Sequence, residues 1–178
     1  EDVRELIEAL LKSSSPIIVA GQGVLYSQAS TELVEFSELA QLPVMTTLAG
    51  KSAFPENHPL ALGTGGLTAP LTVRRFLAST DFGLGIGTSF TRNTFTTPMP
   101  DGLTLGQVTN CSEDIGKDYE ASVGAVGEVR LVLQKMIEEY KRQDGPKQRG
   151  NGQGVAQKEA AVGEEFNAEW EPRLTSDE

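Results

Sequence analysis

The 178-residue sequence predicts an α/β fold: a parallel, doubly wound sheet of about five or six strands with helices on both faces. Three observations lead there. Short apolar runs bounded by Gly or Pro recur along the chain, as fully buried parallel strands do. Stretches with apolar residues at helical spacing separate them. Glycines close the strands at their carboxyl ends, Gly21 and Gly23 after one, Gly85 and Gly87 after another.

In chain order, Val3, Leu6, Ile7, Leu10 and Leu11 stripe one face of a first helix. PIIVA (16–20) is the first strand, ending in GQG (21–23). Ala29, Leu33, Phe36 and Ala40 share a face of the next helix, with Ser27 or Ser30 available as its N-cap. PVMTT (43–47) is the second strand, opened by a proline that a first strand position tolerates. Residues 48–68 read as a long, turn-rich loop holding PENHP (55–59) and GTGG (63–66). A short helix over 70–78 uses Val73, Phe76 and Leu77, and FGLGIG (82–87) and LGQVTN (105–110) are further strands. ASVGAV (121–126) is a candidate last strand. The final helix of the body places Val129, Val132, Leu133, Met136, Ile137 and Tyr140 on one face. DGPKQRGNGQG (144–154) has the composition of a flexible linker. Beyond it, Phe166 and Trp170 sit four apart in a mostly polar helical pattern that buries little by itself. The reading divides the chain into a folded body, 1–143, and a partly helical connector, 144–178. Because Glu1 opens directly on a helix, it also predicts a piece of a longer polypeptide.

Composition narrows the function. Fifteen Lys and Arg against 25 Asp and Glu give a net charge of −10 and a pI near 4.6. Such a surface repels phosphate backbones and anionic lipid, so neither nucleic acid nor a membrane is the expected partner. One Cys and one His exclude a disulfide framework and a Cys/His zinc site within this chain. They fit a reducing, cytoplasmic compartment. No apolar run reaches membrane-spanning length, and no signal peptide opens the sequence.

In sheets of this kind ligands bind beyond the carboxyl ends of the strands, where the glycines cluster. GQGVLY (21–26) carries half of a dinucleotide fingerprint: Tyr26 stands at the third glycine, and Thr46 and Thr47 replace the ribose-binding acid. A standard NAD site is therefore not expected. The same glycines serve a tight strand-to-helix turn, and both roles remain open. GIGTSFT (85–91) brings Thr88, Ser89 and Thr91 to a strand end, as ligand contacts or as turn caps. Of the nearby cations, Arg74 and Arg75 are expected on the solvated surface, leaving Arg92. His58, between prolines, is expected in an exposed turn, and Cys111, beside Glu113 and Asp114, as a structural thiol. No nucleophile, acid–base pair or metal cluster assembles, so no catalytic or metal-binding residue is expected.

PVMTT (43–47), GKSAFPENHP (50–59), GTGG (63–66), DFGLGIG (81–87), IGKDY (115–119) and VGAVGEVRLVL (123–133) follow one another as in a known family. Over roughly 15–133 the chain resembles the central, Rossmann-like domain of thiamine-diphosphate enzymes of the acetolactate synthase-like group. The resemblance implies a parent with separate pyrimidine- and diphosphate-binding domains, forming homo-oligomers. The parent would use thiamine diphosphate and Mg2+ to decarboxylate 2-oxo acids or transfer the resulting two-carbon unit. The cofactor's ylid supplies that chemistry. The catalytic Glu and the metal–diphosphate motif belong to the other two domains, so this stretch is expected to bind no thiamine diphosphate and to be non-catalytic.

In this family the central crevice holds FAD, ADP or nothing. The resemblance places its binding positions at Gly21, Gln22, Gly23, Thr47, Gly66, Gly87, Thr88, Ser89 and Arg92. The family's flavin-site Arg falls at Ser89, and its acids fall at Thr109, Cys111 and Ala125. These departures argue against FAD and leave an adenine nucleotide such as ADP, or an empty scaffold. Arg92, three positions past Ser89, could replace the lost cation in part. Two rival readings are a free-standing nucleotide- or flavin-binding module and a purely structural subunit-contact domain.

Overall fold

The computed structural model describes residues 1–143, 145 and 153–174. Six strands form one sheet: β1 (Pro16–Ala20), β2 (Val44–Thr46), β3 (Ala61–Thr64), β4 (Phe82–Ile86), β5 (Thr104–Thr109) and β6 (Val123–Val126). Their order is β3-β2-β1-β4-β5-β6, and every pairing is parallel. The strand order reverses between β1 and β4, where a doubly wound sheet opens its crevice. The expected class, strand count and layering hold.

The helices are α1 (Asp2–Lys12), α2 (Gln22–Tyr26), α3 (Ser30–Ala40), α4 (Leu71–Ala78), α5 (Val129–Arg142) and α6 (Gln153–Leu174). All five side chains of β1 are buried, and they alternate between two cores. Ile18 and Ala20 join Leu6, Leu33, Phe36 and Leu133 beneath α1, α3 and α5. Ile17 and Val19 join Val73, Phe76 and Leu77 beneath α4. A central strand whose alternate residues feed opposite layers reads as an unbroken apolar run, and PIIVA is one. The Ser14 and Ser15 amides donate to the Asp81 carboxylate at 2.7 and 2.9 Å. That bond pins the entrance of β1 to the entrance of β4.

Three local expectations change. The stretch read as loop contains β3, a four-residue edge strand with only Ala61 and Leu62 buried. Two polar residues' worth of strand carries no periodicity of its own; pairing to β2 makes it, helped by Thr46 Oγ1 at 3.0 Å from Thr64 Oγ1. Neither Ser27 nor Ser30 caps α3, whose N-cap is Ala29 with no side-chain bond. The unforeseen α2 takes Ser27 at its end, and there Ser27 bonds the Glu128 carboxylate instead. Arg130 completes this junction by donating to the Ser27 carbonyl at 2.6 Å. His58 is not an exposed turn residue, its side chain being 15% accessible. Leu60 N–H donates to its Nδ1 at 3.1 Å, which leaves Nε2–H to donate to Glu38 Oε1 at 3.1 Å.

Helix α5 starts at a built cap, the Leu131 amide donating to Glu128 at 2.9 Å. At its other end Arg142 grips Glu139 through Nε and Nη2 at 2.7 and 2.6 Å, and Gln143 adds a bond at 2.6 Å. Arg142, ahead of Gln143, holds the Glu139 carboxyl down at about 2, against an ordinary 4.5. A depressed carboxyl stabilises the fold above its unfolded pKa and loses that contribution as pH falls through the folded value. Glu139→Gln is therefore expected to cost up to about 1 kcal/mol near neutrality, the exposed Arg142 screening the pair. Urea titrations of both proteins should converge between pH 4.5 and 2. A gap that stays constant down to pH 2 would contradict the clamp.

Helix α6 packs on α4 through Val162, which is buried, and an Arg75–Glu165 ion pair. Phe166 and Trp170 stack with ring centroids 6.1 Å apart and remain partly exposed. Most of the expected linker, residues 144 and 146–152, lies outside the described residues. Among the described residues no helix is long and apolar enough to cross a membrane.

Candidate functional site

The carboxyl ends of the strands enclose a cavity of about 700 Å³ at the β1/β4 switch. That is within the usual range for a small-molecule site. Gln22, Gly23, Thr47, Gly87, Thr88 and Ser89 all line it, so the fold brings these expected residues together. The other three stand outside the lining. Gly21 lies behind the turn, where a Cβ would fall 2.3 Å from the Gly87 carbonyl oxygen. Gly66 supports the cavity wall, its amide donating to Thr97 Oγ1 at 2.5 Å. Arg92 turns to Tyr119, its guanidinium carbon 4.2 Å from the ring centroid, while its amide donates to Asp118 at 2.7 Å.

The glycines explain how the crevice is built. The Gly21 amide donates to the Ile86 carbonyl at 2.8 Å, and the Gly23 amide to the Gly87 carbonyl at 2.9 Å. The β1–α2 turn is thus laced to the end of β4 through backbone atoms, an approach that a side chain on either strand end would block. Gly87 also has φ +63°, the left-handed region. Gly85 leaves room for the Phe90 ring, which lies where its Cβ would project. Phe90 itself takes φ +49°, an uncommon conformation for an aromatic residue and one imposed by this packing.

Beneath the opening, Gln107 of β5 is 1% exposed. Its Nε2 donates to the Thr88 and Asp114 carbonyls at 3.1 and 2.8 Å, and its Oε1 accepts from the Gly116 amide at 3.1 Å. One buried amide therefore fixes two of the loops that shape the cavity. A lone glutamine inside the apolar pattern LGQVTN is the sequence signal that marks it. The loop with Asn93, Phe95 and Thr97, and Asn110 and Tyr119 farther on, also joined the lining unforeseen.

Electrostatically the lining is nearly neutral. Among the described residues it holds hydroxyls, side-chain amides and apolar groups, one carboxylate (Asp114), and no Lys, Arg or His. Cys111 is outside it and bonds Glu113 Oε2 at 3.1 Å, which pushes the thiol pKa up. A thiol so placed is a poor nucleophile. His58, held by Glu38 and Leu60, is outside it as well.

Residues 3–136 match the family model described as thiamine pyrophosphate enzyme, central domain. The chain belongs to that family. This central domain is 34% identical over 140 residues to a probable acetolactate synthase large subunit of Methanococcus aeolicus, covering 77% of this chain and 23% of that protein. It is 31% identical over 139 residues to a 3D-(3,5/4)-trihydroxycyclohexane-1,2-dione hydrolase of Clostridium perfringens, covering 76% and 21%. Benzoylformate decarboxylase of Polynucleobacter necessarius superposes with a TM-score of 0.62 at 26% identity, over 76% of this chain and 26% of that one. The chain thus spans about a quarter of the length of the proteins it matches.

The matched family is a domain of thiamine pyrophosphate enzymes. Among the described residues no group of three His, Cys, Asp or Glu could hold a metal ion.

Proposed function

We propose that this chain is the non-catalytic central domain of a thiamine-diphosphate-dependent 2-oxo acid decarboxylase or carboligase, and that its crevice takes an adenine nucleotide. The observation that carries the ligand half is the cavity at the sheet's switch point, lined by hydroxyls and side-chain amides rather than filled by side chains. In this reading, 1–143 is the domain proper and 144–178 leads to a diphosphate-binding domain. A pyrimidine-binding domain completes a cytoplasmic enzyme that assembles as a homo-oligomer and uses Mg2+ with its thiamine diphosphate. FAD is disfavoured, because the position of the family's flavin-site Arg holds Ser89 and those of its acids hold Thr109, Cys111 and Ala125.

The test is thermal unfolding with FAD, ADP, ATP, NAD and coenzyme A. Ligand at about 100 times its Kd adds roughly 2.7 kcal/mol, a rise of about 5–10 °C for a chain of this size. A rise with the adenine nucleotides and none with FAD is the expected result. A rise confined to FAD would overturn the ligand assignment. A flat response to all five would favour a second reading, a purely structural scaffold, to which the commitment of the Gly21 and Gly23 amides already lends support.

A further inference from the structure

The crevice is lined by polar, mostly uncharged side chains beside apolar ones. A phosphate is held by cationic side chains, by unpaired amides of a glycine turn, or by the start of a long helix. Among the described residues the lining contains no Lys, Arg or His, and Asp114 adds a negative charge to it. At the glycine turn, the Gly21 and Gly23 amides already donate to the Ile86 and Gly87 carbonyls. The helix that follows, α2, has only five residues. Arg92 is not among the lining residues, its guanidinium packing on the Tyr119 ring at the cavity's edge, and the chain as a whole carries a charge of −10.

What the opening does offer is flat apolar surface beside hydroxyls. Tyr26 and Phe95, 77% and 66% exposed, both line the cavity, and large exposed rings are the surfaces a planar base covers. Thr88, Ser89 and Asn110 supply donors and acceptors of the kind that meet sugar hydroxyls.

We propose that this crevice recognises a nucleoside, a neutral planar base with its sugar, and leaves any attached phosphates in solvent. The proposal rests on the adenine-nucleotide reading above and narrows it. Adenosine should then bind about as well as ADP, with little dependence on salt.

Calorimetric titration of the 178-residue chain with adenosine and with ADP, at low and at high NaCl, tests this. The expected result is two Kd values within about threefold of each other, each moving less than about twofold with salt, since no ion pair is there to be screened. Arg92→Ala should leave the ADP affinity within the same twofold. The double variant Tyr26→Ala/Phe95→Ala, altering only exposed rings, should weaken both ligands by roughly tenfold through lost stacking. ADP binding about tenfold or more tighter than adenosine, weakened by salt or by Arg92→Ala, would overturn the nucleoside proposal while leaving the nucleotide reading intact. Unchanged affinity in the double variant would also overturn it. If neither ligand binds, both readings fall together.

Discussion

Gly87→Ala should destabilise this domain by about 3–5 kcal/mol, combining strain at a left-handed residue with overpacking against backbone that cannot move aside. At φ +63° an added Cβ would lie 2.7 Å from the Val24 amide nitrogen and 2.8 Å from Gly23 Cα. These are main-chain atoms of the β1–α2 turn, so relief requires β1 and β4 to part at their carboxyl ends. That opens the bond from the Gly23 amide to the Gly87 carbonyl. Gly102→Ala is the internal control. Its φ is +76°, but nothing lies within 4 Å of the position its Cβ would take. Strain alone, about 1–2 kcal/mol, is expected there. Urea unfolding of the two variants separates the effects: similar losses would mean that the turn and the end of β4 do not meet as closely as described.

Gln107→Leu is the second large effect, about 2–4 kcal/mol, even though the side chain keeps nearly its volume. The leucine cannot accept from the Gly116 amide or donate to the Thr88 and Asp114 carbonyls, and a buried polar group left without a partner costs roughly 1–3 kcal/mol. Part of that cost disappears where the loops swing out to water, so the total is less than three full penalties. The loops that swing are those carrying Thr88, Ser89 and Asp114, which line the crevice. Hydrogen exchange at Gly116 should accelerate together with the loss of stability. A stable variant with a still-protected Gly116 amide would show that Gln107 does not tie these loops.

Both positions bear on what a glycine or a glutamine in the sequence can reveal. Gly21, Gly23 and Gly87 marked the right end of the sheet, and the cavity is there. Their spacing did not distinguish amides offered to a ligand from amides consumed by the opposite strand, because both uses demand a missing side chain. The backbone bonds decide it: the Gly21 and Gly23 amides are consumed. Ser89 was legible as a lining residue because it stands two positions past Gly87 at the same strand end. Arg92, three residues on, was not, since the chain bends at Phe90 and sends its guanidinium to Tyr119, 27 positions away in sequence.

The sequence by itself determined the alternation of buried strands and striped helices, and so the parallel sheet, its two helical layers and the edge at which a crevice opens. These follow from periodicity and from glycine placement, which are local properties. Strand β3, the capping of α3, the bridge made by Gln107 and the withdrawal of Arg92 from the lining were decided only in the tertiary structure. Each depends on a partner in another segment of the chain, or on an edge pairing that leaves no hydrophobic period behind it. Close approach between distant segments is written in no single stretch of chain, and in this domain such approaches set the shape and the charge of the site.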